Sequence, residues 1–205
     1  MENNNWLSQR VGKFTSSEAS PLFAPKGIGQ GGMTYIKRKV AEVLRGEVVK
    51  PLLSTYAIEW GNQNEPIAAA RYYANQEGIY YGKENPKFFE YGDDAGGSPD
   101  GLVGDDGMIE IKCPDSDTHV KYIMFTLENE PIEKHDHFEQ IQMNLLATER
   151  QWCDFISFDP RIIRPELQMH IQRIERDEKF IELIKSRLAE ASKIKNDILR
   201  KLIKP

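Results

Sequence analysis

The segment Gly96-Gly-Ser-Pro-Asp-Gly-Leu-Val-Gly-Asp-Asp-Gly-Met-Ile-Glu-Ile-Lys-Cys-Pro114 confines the chain to a tight β-hairpin with charge on it. From Met108 to Cys113 the residues alternate, so Glu110 and Lys112 project from one face of a strand and Ile109 and Ile111 from the other. Gly104-Asp-Asp-Gly107 is a strong turn signal that folds the stretch ending at Asp100 back on this strand. With a loop of three or five residues centred on Asp105, Asp100 falls opposite Glu110, their Cβ atoms roughly 5 Å apart. Like charges that close repel unless a cation sits between them. Two acids and a lysine on one hairpin therefore point to a metal-dependent phosphodiesterase site, one face for chemistry and the other for packing. Carboxylates, a carbonyl and water suit Mg²⁺ or Mn²⁺, with positions left open for phosphate oxygens. No cysteine or histidine cluster competes as a zinc site. The competing reading is a solvated hairpin whose charged face simply meets water.

At 205 residues the chain can bury one full core, and residues 1–205 are expected to form one domain. No apolar run approaches the roughly 20 residues of a membrane span, and the start Met-Glu-Asn-Asn-Asn lacks the pattern of a secretory signal. A soluble intracellular protein without membrane partners is expected. Cys113 and Cys153 sit in apolar, strand-like runs and read as small core residues in a reducing compartment, not as catalytic thiols. A net charge of −5 argues mildly against a broad nucleic-acid surface. Acids committed to a metal site account for part of that deficit, and a local basic groove can coexist with an acidic exterior.

Along the chain, Thr15-Ser-Ser-Glu18 resembles a helix start with a capping-box acid, and residues 25–32, with four glycines, read as a flexible connection. Residues 34–45 read as a helix stopped by Gly46. Residues 54–75 form a second helical region in which Pro66 marks a kink or a fresh start capped by Asn64. Glu65, beside that discontinuity, reads from its position as a first-turn acid favoured by the helix dipole. Residues 79–113 read as strands, 119–129 as a short helix and 133–148 as a longer one with the apolar stripe Phe138, Ile141, Leu145 and Leu146. Gln142 falls inside that stripe, so its amide must find partners: it is either a core glutamine bonded to backbone or part of a site. Strands over 151–158 and 166–174 follow, then an amphipathic helix over 176–203 carrying Phe180, Ile184, Leu188, Ala191, Ile194, Ile198 and Leu202. The order of elements predicts an α/β fold around one mixed sheet.

Six stretches, taken in order, carry a resemblance. They are Arg10-Val-Gly with Thr15-Ser-Ser-Glu18, Trp60-Gly-Asn-Gln-Asn-Glu65, Ser98-Pro-Asp-Gly-Leu102, Glu110-Ile-Lys-Cys-Pro114, Gln140-Ile-Gln142 and Ile174-Glu-Arg-Asp-Glu-Lys179. Together they resemble the phage λ-type alkaline exonucleases, a branch of the PD-(D/E)xK nucleases that digest duplex DNA from its ends. The resemblance implies a restriction-endonuclease-like mixed central sheet flanked by helices. It implies that Asp100, Glu110 and the backbone carbonyl of Ile111 hold Mg²⁺, with Mn²⁺ as a substitute, and that Asp100 bridges to a second ion when DNA is bound. Lys112 then orients or deprotonates the attacking water, and Glu65 and Gln142 complete the catalytic set.

Arg10, Ser17 and Ser98 match positions that grip the terminal 5′-phosphate, a task suited to a guanidinium fork and hydroxyl donors. Thr118 stands where a second phosphate-binding arginine is expected, with His119 or Lys121 as replacements. The resemblance further implies a ring-shaped homotrimer threading double-stranded DNA, 5′-to-3′ digestion that leaves a 3′ single-stranded overhang, a single-strand annealing protein as partner, and the bacterial cytoplasm as its location. Rival readings are an endonuclease of the same fold, of restriction or repair type, and a catalytically inactive DNA-binding module.

Overall fold

A computed structural model describes residues 2–49, 55–82 and 85–203. The elements run α1 (Glu2–Gln9), β1 (Phe14–Thr15), two 3₁₀ turns, α2 (Gln30–Arg45), α3 (Thr55–Tyr73), β2 (Gly78–Tyr80), β3 (Phe89–Tyr91), β4 (Ala95–Gly97) and β5 (Gly101–Val103). There follow β6 (Gly107–Lys112), α4 (Ser116–Leu127), α5 (Phe138–Thr148), β7 (Trp152–Phe158), β8 (Met169–Glu175) and α6 (Glu178–Leu202).

Five strands make a mixed sheet in the order β2-β5-β6-β7-β8, antiparallel throughout except between β6 and β7. Parallel neighbours cannot be joined by a hairpin and need a crossover. Here α4 and α5 supply it, which brings α5 back over the hairpin it follows in sequence. The expectation of a single sheet needs correction, because β1, β4 and β3 form a second, three-stranded sheet with β1 parallel to β4. The chain leaves one sheet and enters the other across Ser98-Pro99-Asp100, where proline has no N–H to give to a continuing ladder.

The hairpin register pairs Gly101 with Ile109 and Val103 with Gly107, leaving the three-residue turn Gly104-Asp105-Asp106. Arg150 pins this turn, since its Nη1 donates to the carbonyls of Val103, Gly104 and Gly107 at 3.3, 2.6 and 3.1 Å. Ile109 and Ile111 pack on Ala68, Ala69 and Tyr72 of α3. On the other face Met108 packs against Tyr122 of α4 and Phe138, Ile141 and Leu145 of α5. Each such side chain contributes about 1.5–3 kcal/mol on burial, which is why helices close over both faces. The charged face of the hairpin is therefore covered, and Glu110 is 1% exposed. A third core joins Phe14, Tyr35, Ile36 and Ala95 to Met143 and Leu146 of α5 and to Ile181, Ile184, Leu188 and Ala191 of α6.

Several expected boundaries shift. Thr15 precedes only a 3₁₀ turn and its side chain caps no backbone N–H; its hydroxyl donates to Glu18 Oε2 at 3.4 Å, and Glu18 also pairs with Arg38 and Lys39. The α2 helix begins at Gln30, inside the stretch expected to be flexible, because Gly32 packs so close to Pro21 and Ile28 that a side chain has no room. It ends at Gly46 as expected. Ser54 lies outside the described residues. The helix after it runs unbroken through Pro66, and Asn64 donates back to the Trp60 carbonyl at 2.8 Å instead of capping a new start. The helix expected over 133–148 begins at Phe138, since the extended backbone of His135 (ψ 133°) interrupts it after a 3₁₀ turn at Ile132–Lys134. Among the described residues no helix is long and apolar enough to cross a membrane.

Candidate active site

Asp100 lies one step beyond the last pair of the hairpin ladder, opposite Glu110. Its N–H donates to the Ile109 carbonyl at 3.1 Å, and its Oδ2 accepts the Ile111 N–H at 2.6 Å. A buried carboxylate such as Glu110 is tolerable only when its oxygens are bonded. Glu110 Oε1 accepts from Lys112 Nζ and from Gln140 Nε2, the latter at 2.5 Å, and Oε2 accepts from Asn144 Nδ2 at 3.1 Å. Residues four apart share a helix face, so Gln140 and Asn144 reach down together from α5.

Gln142 lies on the opposite side of α5, and its expected place in the site is corrected accordingly. Its Nε2 donates to the Glu175 carbonyl at 2.8 Å and its Oε1 accepts the Asp177 N–H at 2.9 Å, tying α5 to the start of α6. Gln140 and Asn144, neither of them an expected site residue, hold the carboxylate instead.

Partial burial pushes the Asp100 carboxyl well above the usual carboxylate range. The neighbouring Glu110 charge adds to this and Glu65 adds less, while Lys112 and the Ile111 N–H oppose it. For Lys112, burial alone would lower the ammonium, but Glu110 and Asp100, with Glu65 behind them, hold it above its ordinary value. It stays charged. Glu65 is thus felt across the site from α3, where it lines a cleft of about 600 Å³ with Asn62, Pro66, Tyr80, Tyr81, Gly82 and Asn85. Burial lifts the Cys113 thiol to about 12, and Glu65 and Asp100 add to the effect. Cys153 is buried and neither cysteine is in a disulfide.

Among the described residues, the carboxyls of Asp100, Glu110 and Glu65 act on the Lys112 ammonium, an excess of acid over base that a divalent cation would neutralise. The donors fit a hard ion: Asp100 and Glu110 offer oxygens from adjoining strands, beside the carbonyl of Ile111. Among the described residues no three His, Cys, Asp or Glu side chains gather closely enough to cage an ion by themselves. An ion held by two carboxylates and a carbonyl keeps its other positions for water and phosphate, as Mg²⁺ does.

Two residues before Asp100, Ser98 Oγ accepts from Arg10 Nη1 at 3.3 Å and from Trp6 Nε1 at 3.2 Å. The guanidinium lies over the Trp6 ring, 4.4 Å from its centroid, with Phe88 on another side at 5.7 Å. Burial lowers the Arg10 pKa and Glu18 counters it; an arginine so placed remains cationic. Ser17 is exposed just past β1, and Ser98 follows β4, so both leave the same end of two parallel neighbours. His119 cannot stand in for the missing arginine, since it is fully buried with Nδ1 on Ser157 Oγ at 2.7 Å and Nε2 on the Leu167 carbonyl at 2.8 Å. Lys121 is exposed and paired with Asp136 at 2.6 Å.

Residues 5–151 match the model of the YqaJ-like viral recombinase domain. The chain belongs to this family. The crystal structure of an alkaline exonuclease, LHK-Exo from Laribacter hongkongensis, is 29% identical over 97% of this chain and 95% of its own, with a TM-score of 0.80. The same protein in complex with dAMP gives 0.81. A phage-related exonuclease from Haemophilus somnus 129PT shares the fold at 16% identity, over 98% of this chain and 99% of its own, with a TM-score of 0.72. No curated protein matches the chain. The YqaJ-like match contains every residue placed in the site above, whereas β7, β8 and α6 lie beyond it.

Proposed function

We propose that this YqaJ-like domain is a metal-dependent exonuclease. It digests one strand of linear double-stranded DNA in the 5′-to-3′ direction and leaves a 3′ single-stranded overhang. The observation that carries this reading is the convergence of Asp100, Glu110 and Lys112 two residues downstream of the Arg10–Ser98 pair. The chain between Ser98 and Asp100 spans at most about 7 Å, so a phosphate grip and a hydrolytic centre lie side by side. Likeness to an alkaline exonuclease over nearly the whole chain supports the same chemistry.

When bound, Mg²⁺, or Mn²⁺ in its place, polarises the scissile phosphate and lowers the pKa of water. Asp100, Glu110 and the Ile111 carbonyl would hold the ion. Gln140 and Asn144 fix the Glu110 rotamer from above, and Lys112 sets an ammonium beside the attacking water and the growing negative charge. Glu65 faces the same centre from α3. Arg10 and Ser98, with Ser17 from the adjoining strand end, would grip the 5′-terminal phosphate and so set the direction of travel. The family resemblance adds a homotrimer ring on duplex DNA ends, a single-strand annealing protein as partner and the bacterial cytoplasm as the setting.

The test is a digestion time course on linear duplexes labelled at the 5′ or the 3′ end, beside covalently closed circles. Early release of the 5′ label with intact circles supports the reading, and sustained cutting of circles favours an endonuclease. Arg10→Ala is expected to lower digestion of 5′-phosphorylated ends by about ten- to a hundredfold, the worth of a charge-assisted hydrogen bond, and to spare hydroxyl ends. Equal losses on both ends would remove Arg10 from the phosphate grip. Gln140→Ala is expected to cost about 10–100-fold in cleavage, as for partners of a metal ligand, with little change in melting temperature. Gln142→Ala should do the reverse, lowering melting temperature more than rate, because it breaks two bonds to backbone; a nuclease assay with thermal melts on both variants separates them.

A further inference from the structure

Gly12, two residues after Arg10, is held on both sides by buried charges. Its backbone lies at φ +70°, its N–H donates to Glu42 Oε2 at 3.0 Å, and its carbonyl accepts from Lys195 Nζ at 2.8 Å. A side chain here would be strained and would strike Val43, which leaves glycine as the residue that lets α2 and α6 close on this loop. Glu42 comes from α2 and Lys195 from α6, and both are almost wholly buried. Lys39 Nζ donates to both Glu42 oxygens at 3.1 Å, so the glutamate is not an isolated charge.

Lys195 does a second thing: its Nζ also reaches the Asp94 carboxylate, and the Asp94 carbonyl accepts the Phe14 N–H at 2.7 Å. Asp94 immediately precedes β4, the strand that runs out to Ser98. One ammonium thus joins the loop carrying Arg10 to the start of the strand that leads into Ser98. On α6, Lys195 takes the next core position after Ile181, Ile184, Leu188 and Ala191. An apolar side chain would fill that position without the desolvation that a buried ammonium must offset. Packing alone does not account for a lysine there.

We propose that Lys195 and Glu42 are positioning residues for recognition of the 5′-terminal phosphate, fixing the Arg10 loop against β4 so that Arg10 and Ser98 converge on one anion. This rests on the reading of Arg10 and Ser98 as the phosphate grip. Neither positioning residue touches DNA, and each acts through the backbone of Gly12.

The test compares kcat/KM on linear duplexes bearing 5′-phosphate and 5′-hydroxyl ends. Lys195→Met, close in length and uncharged, is expected to lower the phosphate-to-hydroxyl ratio about tenfold, as for loss of a charge-assisted bond, while the hydroxyl rate changes far less. Lys195→Arg should recover most of the ratio, since it keeps a charge that can donate to Gly12 and Asp94. If Lys195→Met does not fold by circular dichroism, Asp94→Asn replaces it, with a smaller fall in the same direction expected. An unchanged ratio in the folded variant, or equal loss on both ends, overturns the proposal. Arg10→Ala run in parallel separates the two levels. A ratio lowered by Arg10→Ala but not by the Lys195 or Asp94 variant sinks the positioning role alone, and a ratio moved by neither sinks the phosphate grip with it.

Discussion

Lys112→Ala is expected to lower DNA cleavage by about 10²–10⁴-fold, the span of a positioned proton-transfer group, while fold and DNA binding stay near those of the parent. The fold should survive because the Lys112 side chain is 31% exposed and its polar contact is to Glu110. After truncation Glu110 still accepts from Gln140 and Asn144, so no buried carboxylate is left bare. Activity should not survive, because the Lys112 ammonium, which among the described residues is the one bonded to the paired acids, is gone and no other lysine in the hairpin can replace it. Since Glu110 and Asp100 hold the Lys112 pKa above its ordinary value, the parent keeps this charge through any practical assay pH, and changing pH should not rescue the variant. Circular dichroism, DNA binding with Ca²⁺ present and nucleotide release with Mg²⁺ check the three parts. A normal rate, or an unfolded variant, would contradict the assignment.

Asp100→Asn should be as damaging to activity and yet stabilise the metal-free protein. Burial, then Glu110, raise the Asp100 pKa in the folded state above its unfolded value. Its contribution to stability is then fully present below the unfolded pKa, where the carboxyl is protonated in both states, and is lost as pH rises through the folded pKa. Asparagine carries no charge, and its Oδ can still take the Ile111 N–H that Asp100 accepts at 2.6 Å. With chelator present, the variant should melt above the parent, and the gap should widen as pH climbs across the folded pKa. Adding Mg²⁺ should raise the parent's melting temperature and leave the variant's almost unmoved. Calorimetric scans at acidic and alkaline pH, with chelator and with Mg²⁺, read all of this. A variant that melts below the parent in chelator, or gains as much from Mg²⁺, would remove Asp100 from the charge cluster.

What the sequence made legible was local. The alternation of Met108 to Cys113 and the Gly-Asp-Asp-Gly turn set the register that places Asp100 opposite Glu110, and the spacing along α6 found Ile184, Leu188 and Ala191 in the core. What it hid depends on contacts far apart in the chain. The helix α5 is buried nearly all round, with Ile141 and Leu145 in the core beside the hairpin and Met143 and Leu146 in the core beside α6. A helix buried on two sides has its polar residues inside apolar surroundings on both, so a place within the stripe Phe138, Ile141, Leu145 and Leu146 singles out Gln142 without showing that Gln140 and Asn144 are the amides facing Glu110. The split into two sheets turns on Pro99, a single residue inside a run that otherwise reads as strand. Lys39, Glu42 and Lys195 are charged types that usually face water, and only the closing of α2 and α6 on Gly12 buries them.

The central claim, that Asp100, Glu110 and the Ile111 carbonyl hold one divalent cation, is tested most directly by anomalous scattering from crystals soaked in Mn²⁺. An anomalous peak is expected within about 2.6 Å of oxygens from all three residues, displaced by excess Mg²⁺. A site with no peak between the two carboxylates, in crystals whose other sites take up Mn²⁺, would contradict it.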